Sequence, residues 1–169
     1  SLARRIRQDG LAGEIAVATR SAETLARAGE LGLFDSGTLD AAEAATDADL
    51  VIICTPMGSV ADVGRQIAGA LKHGAIVSDV GSVKSPVLRD LAPLLPANVH
   101  LVPGHPVAGT EHSGPDAGFP TLFEKRWTIL TPAAGTDAAA VDRVAALWRA
   151  CGARVEVMDA GHHDQVLAI

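Results

Sequence analysis

Tyrosine is absent from the 169 residues, and aromatic side chains make up only 3% of them. So few rings cannot build a stacking platform for single-stranded nucleic acid. Positive charge is also in short supply. The 14 Lys and Arg stand against 20 Asp and Glu for a formal charge of -6, the reverse of the basic face that nucleic acid requires. Only two cysteines occur, Cys54 and Cys151, without the CxxC spacing of zinc or redox sites. Both read as buried, reduced thiols. Long apolar runs are missing as well, since stretches such as Leu50 to Cys54 break within a few residues, far short of the ~18–20 that cross a bilayer. Arg4, Arg5 and Arg7 interrupt the start of the chain where a signal peptide would be apolar. These absences exclude nucleic acid and membrane as expected partners and predict a cytoplasmic protein.

What is present is aliphatic. Hydrophobic residues reach 48%, enough for one core in a domain of the usual size, roughly 100–200 residues. Short apolar runs alternate with alanine-rich stretches from end to end, the pattern of repeated βα units. Strands are predicted at 15–18, 50–54, 75–79, 100–102, 127–130 and 155–158, each apolar enough to be covered on both faces. Val60, Val63, Ile67 and Leu71 form one helical stripe, and Val141, Val144, Ala145 and Trp148 form another before Gly152. Ser21 is placed to cap the helix containing Leu25, and Ser85-Pro86 to cap and open another. Residues 104–123 are rich in glycine and proline and are predicted to be irregular. A long ordered loop of that kind is usually functional.

Residues 1–10 (SLARRIRQDG) read as the first helix of a βαβ unit that has no strand before it, and no GxGxxG turn occurs anywhere. Either the strand and its phosphate-binding turn lie upstream, or the fold is not a dinucleotide fold. Residues 164–169 (DQVLAI) begin a helical pattern without a stop signal.

Ligands of open parallel sheets sit outside the carboxyl ends of the strands. Thr55-Pro56-Met57-Gly58 follows the strand at 50–54, and Val80-Gly81-Ser82-Val83-Lys84 follows the strand at 75–79. Glycine and a short hydroxyl admit a flat ligand to the backbone, while proline stiffens the turn. His105 follows the strand at 100–102 and is held by Pro106. An imidazole there suits an acid, base or polarising group near neutral pH. His162 and His163 are neighbours that point apart on a helix and make poor joint metal ligands, so no metal is expected. His73, His100 and His112 receive no role.

The segments DLVIICTPMG at 49–58, SDVGSVK at 78–84, GHPVAGTEHSGP at 104–115 and HDQVLAI at 163–169 form an ordered set. Together they resemble the prephenate and arogenate (cyclohexadienyl) dehydrogenases of tyrosine biosynthesis over nearly the whole chain. The resemblance implies a Rossmann-like α/β domain over 1–169, mostly parallel with helices on both faces, that lacks its first strand and glycine-rich loop. It also implies that 162–169 start a helix leading to an absent all-helical domain through which a homodimer forms. The implied reaction oxidises a 4-hydroxycyclohexadiene ring, that of prephenate, arogenate or both, at its carbinol carbon. NAD or NADP is the implied acceptor, and the ring carboxylate leaves as carbon dioxide. By the same resemblance His105 is the catalytic histidine, accepting a hydrogen bond from the ring hydroxyl, and Ser82 helps to place that hydroxyl and the nicotinamide. Gly109, Thr110 and Glu111 fall in the substrate-side loop, with Glu111 ordering the pocket or pairing with an arginine of the absent domain. Thr55, Pro56 and Gly81 line the nicotinamide half of the cleft. Asp164 matches an acid of the hinge helix, or is a simple helix-start charge.

The fold often places an acid at the end of its second strand to bind the adenosine ribose, but Thr19-Arg20-Ser21 stand there. With no carboxylate to repel it, a 2′-phosphate suits these three residues, which tilts the expected cofactor from NAD toward NADP. Two rival readings stay open: another dehydrogenase of this architecture, of 3-hydroxyacid or pyrroline-carboxylate type, and a non-catalytic nucleotide-binding module. The first would be expected to lack the HPVAGTE loop.

Overall fold

The computed structural model describes residues 1–167, over which strands and helices alternate. The first half runs α1 (Leu2–Asp9), β1 (Ala16–Ala18), α2 (Ala22–Glu30), β2 (Ser36–Thr38), α3 (Ala41–Ala45), β3 (Leu50–Ile53), α4 (Val60–Ile67) and β4 (Ile76–Asp79). The second half runs α5 (Ser85–Leu91), β5 (His100–Leu101), β6 (Gly104–Pro106), β7 (Trp127–Leu130), α6 (Ala138–Ala150), β8 (Arg154–Val157) and α7 (Ala160–Leu167). Ala168 and Ile169, the end of the segment expected to lead into a further domain, lie outside the described residues.

Local chemistry sets the element ends. Gly10 closes α1 in the left-handed conformation, at φ 61°. Ser21 Oγ accepts the Thr24 N–H at 3.1 Å and caps α2 as expected. The start of α5 differs from expectation, because no side chain of its own caps it. Asp164 of α7 does so instead, accepting the backbone N–H groups of Lys84 and Ser85. A carboxylate brought in from 80 residues away takes the place of the expected Ser85 hydroxyl.

Three ladders form among the described residues: β1-β2, β3-β4-β5 and β6-β7-β8. All pairings are parallel except that of β6 with β7, so the sheet is of the mixed, mostly parallel kind. Adjacent residues of one strand feed different cores. Ile76 and Val102 belong to a cluster with Leu130, Val144, Trp148 and Phe123, whereas Val77 and Leu101 belong to one with Ile53, Val60, Ile67 and Leu91. Since successive strand side chains point to opposite faces, β4 and β5 are covered on both. Trp148 has no exposure and meets Phe123 edge to face at 5.1 Å. Truncating a ring so placed costs about 3–5 kcal/mol.

Several expectations need correction. β2 was not predicted, and 104–123 is not irregular throughout, because it begins with β6. Cover on both faces holds for β4, all four residues of which are buried, but not for β1 or β8, whose side chains are mainly exposed. Cys151 is buried, whereas Cys54 is exposed just past β3, a strand paired on one side only among the described residues. Among the described residues no helix is long and apolar enough to cross a membrane.

Candidate active site

β4 ends in Asp79, a fully buried carboxylate. It accepts the N–H of Gly81 at 2.8 Å and of Gly104 at 3.2 Å, and pairs with the ammonium of Lys84 at 2.5 Å. Lys84 Nζ also donates to the Gly104 carbonyl at 2.8 Å. One buried ion pair therefore ties the turn after β4 to the first residue of β6. Burial pushes the Lys84 ammonium pKa down, and the charges of Asp79 and Asp164 oppose that shift. On this turn Gly81 is confined, since a Cβ there would lie 2.9 Å from Asp79 Oδ2 and closer still to Met57 Sδ. Ser82 follows it, exposed.

His105 sits at the centre of β6, opposite Ile129 of β7, and is half-buried. Burial pushes its pKa down to about 4, helped by His163 and Lys84 and opposed by Asp164, so the ring is neutral at neutral pH. Its Nδ1 lies 2.9 Å from Nε2 of His163, a residue of α7 with no exposure. His163 Nδ1 in turn lies 2.8 Å from Asp164 Oδ1. Burial works against ionising Asp164, yet Ser85, the Lys84 and Ser85 backbone N–H groups and His163 hold its carboxyl well below the usual carboxylate range. His163 had been set aside on the sequence. It touches His105 across 58 residues, and its only sequence signal is its place in the HDQVLAI segment.

The other predicted residues fall into two groups. Thr55 and Pro56 follow β3, and Thr19, Arg20 and Ser21 follow β1, both at carboxyl strand ends like Gly81 and Ser82. Among the described residues the buried Thr55 hydroxyl has no hydrogen-bond partner, so a polar group at this strand end would find it unengaged. Thr19 Oγ1 accepts the Ser21 N–H at 3.4 Å, and Arg20 is exposed. Short hydroxyls, a proline and an arginine at carboxyl strand ends are groups chemically suited to meet the nicotinamide and adenosine ends of a dinucleotide. Gly109, Thr110 and Glu111 are exposed in the loop after β6. Thr110 donates to the His112 carbonyl at 3.2 Å, and no hydrogen bond joins this trio to His105 among the described residues.

That loop is anchored elsewhere. Arg4 donates to the Pro115 carbonyl at 3.0 Å, Phe119 N–H donates to Ser1 Oγ at 3.2 Å, and Arg27 pairs with Asp116 at 2.5 Å. A cavity of about 380 Å³ is lined by Ala97, Val99, His100 and Asp137 at the amino end of β5, away from these strand ends. Among the described residues no three His, Cys, Asp or Glu side chains are grouped so as to hold a metal.

Comparison with known proteins gives this arrangement a family. Residues 2–157 match the model of the prephenate dehydrogenase, nucleotide-binding domain. A cyclohexadienyl dehydrogenase of Zymomonas mobilis is 46% identical over 143 residues, covering 85% of this chain and 48% of that protein. A crystal structure of prephenate dehydrogenase from A. aeolicus in complex with hydroxyphenyl propionate and NAD+ is 31% identical with a TM-score of 0.91. That match covers 99% of this chain and 58% of the other. Synechocystis arogenate dehydrogenase, at 27% identity, also gives 0.91, over 99% of this chain and 58% of that one. The chain spans about a third to a half of the length of the curated relatives it matches. With the fold, the strand-end motifs and the family model in agreement, this chain belongs to the prephenate dehydrogenase nucleotide-binding domain family.

Proposed function

We propose that this chain is the nucleotide-binding part of an enzyme that oxidatively decarboxylates prephenate, arogenate or both, in tyrosine biosynthesis. The observation that carries the reading is a neutral, half-buried His105 tied through Gly104, Asp79 and Lys84 to the Gly81-Ser82 turn. A bound nicotinamide supplies the acceptor for the carbinol hydrogen and its electron pair. His105 takes the proton of the ring hydroxyl as the carbonyl develops, and the Ser82 hydroxyl orients that oxygen. Gly81, whose backbone Met57 and Asp79 pack against directly, lines the nicotinamide site together with Thr55 and Pro56. Gly109, Thr110 and Glu111 form the substrate-side loop. Loss of the carboxylate aromatises the ring and drives the reaction, so alignment is the main task left to the protein.

The remaining parts of the proposal concern what surrounds this chain. β1 and β3 each have an edge without a strand partner among the described residues. There we place one further strand and its glycine-rich turn. Helix α7 leads toward an all-helical domain that makes the homodimer, consistent with the chain's share of its relatives' length. NADP is the proposed preference over NAD, because Arg20 stands exposed where an acid would repel a 2′-phosphate. A cytoplasmic setting accords with two free cysteines.

The test is a steady-state assay of the complete protein, pairing prephenate and arogenate with NAD and NADP and following the absorbance of reduced nicotinamide. Turnover in at least one pairing, lowered by about 10²–10⁴ in His105→Asn with cofactor binding intact, is the expected result. Silence in every pairing from a folded protein that binds cofactor would favour a different dehydrogenase or a non-catalytic module.

A further inference from the structure

Behind His105 stands a pair of residues to which the proposed reaction assigns no task. Asp164 is the fixed end of the chain of contacts. Its Oδ1 accepts the Lys84 backbone N–H at 2.7 Å and its Oδ2 accepts that of Ser85 at 2.8 Å. Backbone N–H groups only donate, so they hold this carboxylate as an ionised acceptor. His163 Nδ1, 2.8 Å from Asp164 Oδ1, must therefore carry a hydrogen. A neutral imidazole has only one N–H, which leaves His163 Nε2 bare and accepting. A doubly protonated His163 would instead set a full positive charge in a ring with no exposure, a cost that the neutral ring avoids. The group facing His163 Nε2 at 2.9 Å is Nδ1 of His105, which must donate to it. The single hydrogen of a neutral His105 is thereby spent on Nδ1, and its Nε2 is left with a free lone pair.

We propose that His163 and Asp164 are positioning residues that fix His105 in the tautomer whose bare Nε2 receives the substrate proton. This inference rests on the reading of His105 as the base. The O–H bond of the substrate hydroxyl breaks and an N–H bond forms at Nε2, while the freed O–H pair becomes the second carbon–oxygen bond as the carbinol hydrogen leaves with its own pair to the nicotinamide. The positive charge on His105 is met through His163 by the Asp164 carboxylate, and the proton returns to the ring oxygen once loss of carbon dioxide makes it a phenolate. Holding the imidazole also limits its rotation, so the lone pair is already aimed when substrate arrives.

The experiment uses the complete protein, labelled with ¹⁵N in its histidine rings and examined by NMR at about pH 8, where an ordinary imidazole is neutral. His105 is expected to show a protonated Nδ1 and a bare Nε2, and His163→Phe to lose that preference. In the same variant kcat falls by about 10- to 100-fold with KM within about twofold, the pattern of a lost orienting partner. His163→Gln, whose side-chain oxygen reaches the place of Nε2 and can accept from His105, restores most of the turnover. A wild-type His105 protonated at Nε2, unchanged kcat in His163→Phe, or equal losses in the Phe and Gln variants would each overturn the proposal. If His163→Phe does not fold, the wild-type tautomer and the Gln variant still decide it. His105→Asn separates the two levels. Full activity there removes the base and the positioning pair together, whereas an inactive His105→Asn beside an unimpaired His163→Phe removes only the pair.

Discussion

Lys84 and Asp79 form a salt bridge with neither side chain exposed to solvent, at 2.5 Å, and the same ammonium holds the Gly104 carbonyl. The pair is a clamp between the turn after β4 and the strand that carries His105. Removing one charge leaves the other buried and uncompensated, which typically costs about 3–5 kcal/mol, more than the pair itself contributes. Lys84→Met is expected to lower stability on that scale, read from the denaturation midpoint of the complete protein. Adding Asp79→Asn to it should recover part of the loss.

The pH dependence of turnover follows from the burial of His105. Its working form as a base is the neutral imidazole, and burial, with His163 and Lys84, lowers its pKa from 6.5 to about 4. The neutral form is thus present above about pH 4, and activity is lost only as pH falls through that value. A plot of kcat/KM against pH for the complete protein should be flat across the ordinary histidine range. A half-loss near 6.5 would show that the imidazole is not shielded in this way.

Gly104 tests how close β6 must lie to β4. A Cβ at this position would stand 3.1 Å from the Asp79 carbonyl and 3.3 Å from a Leu130 methyl. The carbonyl belongs to a fully buried strand and has little room to move. Gly104→Ala should cost about 1–3 kcal/mol through overpacking. It should also lower kcat, because the next residue along the displaced strand is His105.

Cofactor preference turns on Arg20, exposed at the end of β1. Replacing it with serine removes the cation offered to a 2′-phosphate. Arg20→Ser is expected to raise KM for NADP about tenfold, the scale of one lost charge-assisted contact. KM for NAD should stay within about twofold, and equal effects on both cofactors would assign Arg20 no part in the choice.

The sequence made the alternating architecture readable because β3 is an unbroken apolar run, β4 and β7 open or close on apolar pairs, and α4 and α6 carry clear stripes. β2 was hidden: Ser36, Gly37 and Thr38 have no apolar alternation and form a strand only through parallel pairing with β1. β6 was hidden for another reason, since Gly104 and Pro106 punctuate it like a turn while its antiparallel partner lies more than 20 residues onward. The motifs marked His105 and the Gly81-Ser82 turn. They gave no sign of what holds these together, because the contacts of Asp79 with Gly104, and of His163 with His105, join residues 25 and 58 positions apart. A capping serine was legible at Ser21, where its partner is three residues away, and misread at Ser85, where the capping group comes from another helix.

The one-sided pairing of β3 also bears on handling this chain in isolation. Its Leu-Val-Ile-Ile run has a row of backbone N–H and C=O groups without a strand partner among the described residues, and no Lys, Arg or Pro within it to blunt that edge. Natural sheets guard such edges because any extended segment can add to them. Produced as a free-standing piece, the chain is therefore an open template for strand addition. A segment that pairs with the β3 edge would remove that hazard at its source, which added charge elsewhere on the surface would not.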